Sequence, residues 1–205
     1  MNLAWLESAR RLQAIAQTGI AFAKDPFDLE RYQEVSRIAL NLFADLAQAP
    51  PEPIAGLLLD DLGYATPKVD VRGVVFNEGR LLLVREISDG GWALPGGWAD
   101  VGETPSESVA KEILEESGLE VDVMKLLAVY DRSKHGHSPH PNHVYKLFFR
   151  CEIKGGSPKR GVETSDVGFF KEDELPALSV DRITASQIRR MFEHLLAPDL
   201  PTDFD

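Results

Sequence analysis

The chain has a single cysteine, Cys151. A lone thiol excludes an internal disulfide framework and fits a reducing compartment. It lies in an apolar, strand-like run, which predicts a buried and inert thiol. Positive charge is also scarce: Lys and Arg total 22 against 33 Asp and Glu, a net charge of −11. That balance argues against a broad surface for long nucleic acid and leaves room for a local basic pocket. No apolar run approaches membrane-spanning length. The first residues lack the basic start and continuous apolar core of a signal peptide. These absences predict a cytoplasmic protein with no membrane partner. Internal repeats and low-complexity segments are missing as well.

What is present is an ordinary globular composition, 43% hydrophobic and 27% charged over 205 residues, enough for one domain or two small ones. The pattern shifts near residue 65. Before it the period is helical: Leu3, Leu6, Leu12, Ile15 and Ala16 stripe a first helix, and Leu29, Tyr32, Val35, Ile38, Leu42, Phe43 and Leu46 a second. Lys24-Asp25-Pro26 separates them. Pro50, Pro51 and Pro53 end the second helix, and Ile54 to Leu59 suggest a short third. This section, 1–64, is too small to hold a large core alone. Its stripes therefore predict a homodimer in which the helices pack on a second subunit and border its substrate pocket.

From residue 65 to 205 the pattern is one of strands around a central helix. Val69 to Phe76 and Arg80 to Arg85 flank Asn77-Glu78-Gly79 as a hairpin. Further strand-like runs fall at 121–131, 143–153 and 167–170. Thr184 to Leu196 reads as a closing amphipathic helix with Ile188, Met191, Phe192 and Leu195 on one side. Strands on both sides of one helix, with a late second helix, fit an α/β/α sandwich.

The central helix has marked ends. Thr104 is a natural N-cap, Pro105 takes the first helical position, and Glu107 completes a capping box. Gly118 fits the left-handed residue that stops it. Along it, Glu112, Glu115 and Glu116 fall within an arc of about 100°, while Val109, Ala110, Ile113 and Leu114 point the other way. Like charges at this spacing cost stability, and a hard divalent cation reverses the sign. Mg²⁺ is held by a few carboxylates together with substrate phosphates. Glu103, just before the cap, is a further ligand or brace, and backbone of the Gly96-Gly97 turn adds to the set through Gly97. A solvated acidic face is the plain alternative.

Residues 97–119 resemble the Nudix box, Gly-x5-Glu-x7-Arg-Glu-U-x-Glu-Glu-x-Gly-U, where U is a bulky aliphatic residue. Gly97, Glu103, Glu112, Ile113, Glu115, Glu116, Gly118 and Leu119 match it. Lys111 stands where the family has Arg; it keeps the charge and loses the bidentate fork. The resemblance implies a Nudix α/β/α sandwich with a mixed sheet, preceded here by a small all-helical domain. It also implies a pyrophosphohydrolase dependent on Mg²⁺ or Mn²⁺. The helical extension and stretches such as Tyr64 to Arg72, Leu94 to Asp100 and Glu163 to Val167 are similar to the group that hydrolyses X-linked nucleoside diphosphates. That group is associated with ADP-ribose or CDP-choline and with dimers. Nucleoside triphosphates, RNA ends and non-catalytic nucleotide sensing are the competing readings.

A general base remains to be assigned. In some Nudix enzymes it belongs to the box, here Glu112 or Glu116; in others a Glu on a later loop activates the water. Glu163, in Gly161-Val162-Glu163-Thr164-Ser165-Asp166, is the later candidate, against the reading of a solvated loop carboxylate. His135, His137, His140 and His143 crowd a segment interrupted by Gly136, Pro139 and Pro141. An irregular, substrate-facing loop that includes His143 fits this better than a zinc site. Arg85 and Arg132 are candidate phosphate donors or surface ion pairs. Trp98, beside the glycine turn with Trp92, is a candidate to stack on a base or ribose, or to pack in the core.

Overall fold

The computed structural model describes residues 3–59 and 62–205. They form two compact units. One takes the chain up to Lys68 together with Pro139–His143; the other takes Val69–Ser138 and Val144–Asp205.

The first unit holds α1 (Leu3–Phe22), α2 (Pro26–Ala47) and α3 (Pro51–Leu58). Asp25 starts α2 by accepting from the backbone N–H of Phe27 at 2.7 Å and of Asp28 at 3.3 Å. The prolines at 51 and 53 do more than end α2: Pro51 opens α3, where a missing N–H costs nothing. Leu6, Ala9, Phe43 and Leu58 form the unit's core, with Leu42, Leu46 and Ile54 against it. Gln13 and Ser36 are buried between α1 and α2 and bond to each other at 3.1 Å.

The expected stripes hold in part. Ile15 is 54% exposed and Ile38 47%, whereas Ala9, Ala16 and Ala39 are fully buried. Small residues occupy the seam where the helices close, and the larger aliphatics at 15 and 38 fall outside it. The side chain of Leu3 lies outside the described residues.

The second unit is built on a mixed sheet. Among the described residues its strands are β1 (Lys68–Asn77), β2 (Arg80–Glu86), β3 (Trp92–Ala93), β4 (Leu119–Asp131), β5 (Val144–Gly156), β6 (Thr164–Phe170) and β7 (Asp203–Phe204). The order is β3-β2-β1-β5-β4-β7, with β6 also pairing β2. Asn77 pairs with Arg80 across a two-residue turn, Glu78-Gly79, both left-handed as such a hairpin requires.

Alternation along the strands builds two cores. Val71, Val75, Leu82, Phe149 and Cys151 face α4 (Pro105–Ser117) through Val109 and Ile113. Val74, Leu81, Leu83 and Phe148 face α5 (Ala185–Leu196) through Ile188, Met191 and Phe192. The result is the expected α/β/α sandwich. Cys151 is buried, and burial pushes its thiol up to about 12. Leu114, expected on the core face of α4, is 47% exposed, because the sheet takes up only the narrower Val109–Ile113 stripe.

One strand was not anticipated. Asp203–Phe204 runs parallel to β4 at Ala128 and Val129. Asp203 pins it, accepting from Arg190 Nη2 at 2.7 Å and from the Tyr130 hydroxyl at 3.0 Å. Among the described residues no helix is long and apolar enough to cross a membrane.

Beyond the apolar core, Asp70 and Arg72 share the α5-side face of β1 and are buried with Lys146 of β5. Asp70 Oδ2 accepts from Arg72 Nη2 at 2.7 Å, and Oδ1 from Lys146 Nζ at 2.6 Å. Burial works against the Asp70 charge, but Arg72 and Lys146 outweigh it and bring its pKa down from 3.8 to about 2. Asp70→Asn leaves two buried cations without their counter-charge and is expected to cost about 3–5 kcal/mol in a urea titration. A further Lys146→Met is expected to restore part of that loss. Because the folded pKa is depressed, the carboxylate's contribution is present above pH 3.8 and is lost as pH falls through about 2. A wild-type acid-stability curve identical to that of Asp70→Asn would refute this assignment.

Candidate active site

The site is built where α4 meets the turn that follows β3. The sequence devices that start and stop α4 are present: Thr104 accepts from the Glu107 N–H at 3.2 Å, Glu107 accepts from the Thr104 N–H at 2.8 Å, and Gly118 is left-handed. The turn is fixed on its other side by β1, with Val71 N–H donating to Gly97 O and Gly73 N–H to Pro95 O, both at 2.8 Å. Gly96 is required here. Its φ is 140°, and a Cβ would stand 2.0 Å from Val71 O.

That close approach lets the Gly96 N–H donate to Glu116 Oε2 at 2.8 Å. Glu116 is only 7% exposed, so the helix face expected to be acidic and solvated is in part an internal wall. Burial pushes Glu116 up to about 7; Arg72 and the Gly96 N–H pull it down, and Glu86 and Glu112 push it up further. Glu112 is half-buried and its pKa is also raised, first by burial and then, against Arg72, by Glu115 and Glu163. A Cβ on Gly97 would meet both Glu112 oxygens at 3.2 Å, so the turn backbone and this carboxylate share one small space. Glu115 is exposed.

Glu103 is held from the helix. Lys111 Nζ donates to Glu103 Oε1 at 3.0 Å and to Asp100 Oδ2 at 2.7 Å, and the second Glu103 oxygen is buried with no hydrogen-bond partner. Lysine in place of arginine thus still ties the loop to α4, through single bonds.

Glu163 is exposed and precedes β6; its carbonyl accepts from the Ile87 N–H at 3.1 Å. Its charge adds to the raised pKa of both Glu86 and Glu112, behind burial as the first cause. A cavity of about 700 Å³ is lined by Glu112, Glu115, Glu116, Glu163, Lys159 and Arg160, among others. Thr164 Oγ1 donates to Glu116 O at 2.8 Å and accepts from the Gly161 N–H at 2.8 Å.

These residues suit a divalent cation by their chemistry. Buried, mutually repelling carboxylates with raised pKa values and an unpartnered Glu103 oxygen are stabilised by added positive charge. Among the described residues no three carboxylate, thiol or imidazole groups already converge on one point. The carboxylates line a cavity rather than form a closed cage, in keeping with a Mg²⁺-type ion that shares its shell with substrate.

Other expected residues are not among those lining that cavity. Arg132 is buried, and its guanidinium donates to Ser138 O at 2.6 Å and Asp181 O at 3.2 Å, anchoring the segment after β4. Arg85 is exposed and donates to Gly90 O at 3.0 Å. Trp98 is 48% exposed and bridges Asp70. Trp92 packs edge-on against Phe170 at 4.8 Å. His143 belongs to the first unit, where its carbonyl accepts from the Lys68 N–H. The other histidines take separate partners: His135 bonds Asp205 and stacks on Tyr130, His137 bonds Val180 O, and His140 bonds Asn142.

Residues not singled out in the sequence also shape the site. Arg72 donates to Leu94 O at 3.1 Å and sets its charge against Glu116 and Glu86. Glu86 is buried and pairs with Arg182 Nε at 2.9 Å. The available signal was the pair Asp70 and Arg72, two apart in a valine-rich strand and so facing the same way.

Residues 66–194 match the NUDIX domain family, and residues 4–58 match a family described as a UDP-X-like, N-terminal oligomerisation domain. The chain belongs to the Nudix family. A Bacillus subtilis (strain 168) protein provisionally named an ADP-ribose pyrophosphatase is 48% identical over 98% of this chain and 97% of its own length. The crystal structure of a UDP-X diphosphatase is similar at 35% identity and TM-score 0.64, covering 99% of this chain and 98% of that one. An ADP-ribose pyrophosphatase from Streptococcus suis covers 68% of this chain and 100% of its own, at 39% identity and TM-score 0.63. The chain is thus a Nudix hydrolase with a helical N-terminal extension, an enzyme of the pyrophosphohydrolase type.

A Cβ on Gly161 would lie 2.0 Å from Glu115 O. Gly161→Ala must therefore lift the Glu163 loop off α4. A displacement of about 1 Å can cost about 10²-fold in rate, so a large fall in hydrolytic turnover is expected with far-UV circular dichroism unchanged. Wild-type turnover in this variant would show that the seat of the loop is immaterial.

Proposed function

We propose that this Nudix hydrolase cleaves the diphosphate of a nucleoside diphosphate linked to a small group, such as ADP-ribose. The observation that carries this reading is the cavity shared by Glu112, Glu115, Glu116 and Glu163. The substrates named for the relatives support the same class. A nucleotide sensor would need no such set of four carboxylates, and the net charge of −11 weighs against RNA ends.

In this reading Glu112, Glu115 and Glu116 hold Mg²⁺ or Mn²⁺, with Glu103 as a further ligand or brace and the Gly97 backbone beside them. A cation held there would supply neutralising charge for the diphosphate and a lowered pKa for a water. Glu163 would accept the proton of the attacking water, standing on a loop that the Thr164–Glu116 bond fixes to α4. Glu112 and Glu116 are the alternative bases. Lys111 holds Glu103 and Asp100 so that the loop keeps its place. Arg85 and Trp98, both exposed, are candidates for substrate contact, as is His143; Arg132 is more easily read as an anchor.

Residues up to 64 and from 65 onward are proposed as the helical and catalytic domains. The helical one is proposed to form a homodimer, since Trp5, Phe22 and Phe27 are more than half exposed in a segment matching an oligomerisation domain. A cytoplasmic location fits the single buried thiol.

Glu115→Gln and Glu116→Gln are expected to cut turnover by orders of magnitude with the fold intact, read with a nucleotide-sugar panel by product mass; near-normal rates in both would sink the ligand assignment. Glu163→Gln is expected to lose about 10²–10⁴-fold. A loss below roughly tenfold would move the base to Glu112 or Glu116. Light scattering is expected to give a dimer at micromolar concentration, and a monomer would refute the dimer proposal.

A further inference from the structure

β5 ends at Gly156, and the next residues are fastened to the C-terminal end of α4. Ser157 N–H donates to Gly118 O at 3.2 Å and Lys159 N–H to Ser117 O at 2.8 Å. Thr164 Oγ1 takes Glu116 O at 2.8 Å. The loop thereby satisfies carbonyls that a helix end leaves without partners. The same bonds fix the backbone of Lys159 and the start of Arg160 beside the carboxylate cavity, and both side chains line it with Glu112, Glu115, Glu116 and Glu163.

Both side chains are exposed, and neither makes an ion pair or hydrogen bond with a described residue. Cations are scarce in this chain, and others are paired: Arg72 and Lys146 with Asp70, Lys111 with Glu103, Arg182 with Glu86. Two adjacent unpaired cations on the wall of a cavity otherwise lined by carboxylates therefore have an anion to gain. Cations also favour a helix C-terminus on dipole grounds, but that role predicts an effect on stability alone.

We propose that Lys159 and Arg160 form an anion subsite on the wall of the carboxylate cavity and take a phosphoryl group of the substrate. The inference rests on the reading of this cavity as the place of diphosphate hydrolysis. The arginine offers a planar, bidentate fork for phosphoryl oxygens, and the lysine a mobile point charge. Both bind substrate and transition state alike, so they act on KM. Their contribution is salt-sensitive because they are exposed.

The test uses the full-length protein and the double variant Lys159→Ala, Arg160→Ala. Calorimetric titration with inorganic pyrophosphate and Mg²⁺ is expected to show affinity reduced about tenfold or more, the loss expected for hydrogen bonds to charged groups. With ADP-ribose, KM is expected to rise to a similar degree while kcat stays within about threefold, and the salt dependence of KM is expected to flatten. The charge-keeping swap Lys159→Arg, Arg160→Lys is expected to retain pyrophosphate binding. Unchanged pyrophosphate affinity and KM in the double variant would overturn the subsite, including where the melting temperature falls, since that would leave only the helix-end role. Absence of pyrophosphate binding in the wild type would overturn it as well. Failure of the wild type to cleave ADP-ribose would count against the substrate reading alone, because the pyrophosphate titration does not depend on turnover.

Discussion

A carboxylate buried at a joint sets the terms for the rest of the second unit. Glu116 reaches from the last turn of α4 to the backbone N–H of Gly96, 2.8 Å away. For that bond to form, the turn must come against β1 closely enough that no side chain fits at Gly96. Turn, strand and helix are then one piece, held by Val71 to Gly97, Gly73 to Pro95 and Gly96 to Glu116. A charge so placed is costly without compensation. One backbone donor and the nearby Arg72 leave its pKa still at about 7. The site is thus poised to gain from added positive charge, which is the physical content of a cation-dependent centre.

The compensation is organised in layers. Arg72 is shared: two of its nitrogens hold Asp70, a third holds Leu94 O, and its charge faces Glu116 and Glu86. Asp70 in turn balances Lys146, whose pKa burial lowers to about 8. Glu86 has its own partner in Arg182. Removing one member unbalances the others, as buried pairs do when broken. With 22 cations against 33 acids, the chain still buries three of its cations, Arg72, Arg132 and Lys146, where charge is screened least.

The parts of this arrangement that were legible in the sequence are those determined locally. Thr104, Glu107 and Gly118 bound α4 through contacts no more than a turn away, and the spacing of Glu112, Glu115 and Glu116 on it follows from helix geometry. The two-faced strands and α5 were legible for the same reason. What was not legible depends on register and on distant partners. Nothing near Arg72 says that Leu94 O lies within 3.1 Å, and nothing near Glu116 says that Gly96 does. Arg132 read as a phosphate donor because its carbonyl partners belong to Ser138 and Asp181 in later loops. β7 is two residues long, too short to carry a period, and is held by Arg190, His194 and Tyr130 through Asp203.

The helical unit shows where a periodic reading goes astray and why. A single stripe, drawn through Leu6, Leu12, Ile15 and Ala16 in α1 and through Ile38, Leu42 and Phe43 in α2, assumes one buried face. In α1 and α2 the fully buried positions belong to Ala9, Ala16 and Ala39, since close helix packing favours small side chains at the seam. Trp5, Ile15, Phe22, Phe27 and Ile38 are left exposed, each by more than a third of its surface. A helix with apolar residues on two sides has two burial demands, and packing within the unit meets only one. The match of residues 4–58 to an oligomerisation domain answers the second demand in kind. The expected stripe thus holds at Leu6, Ala16 and Phe43 and fails at Ile15 and Ile38, which fall off the seam of small residues that closes the helix pair.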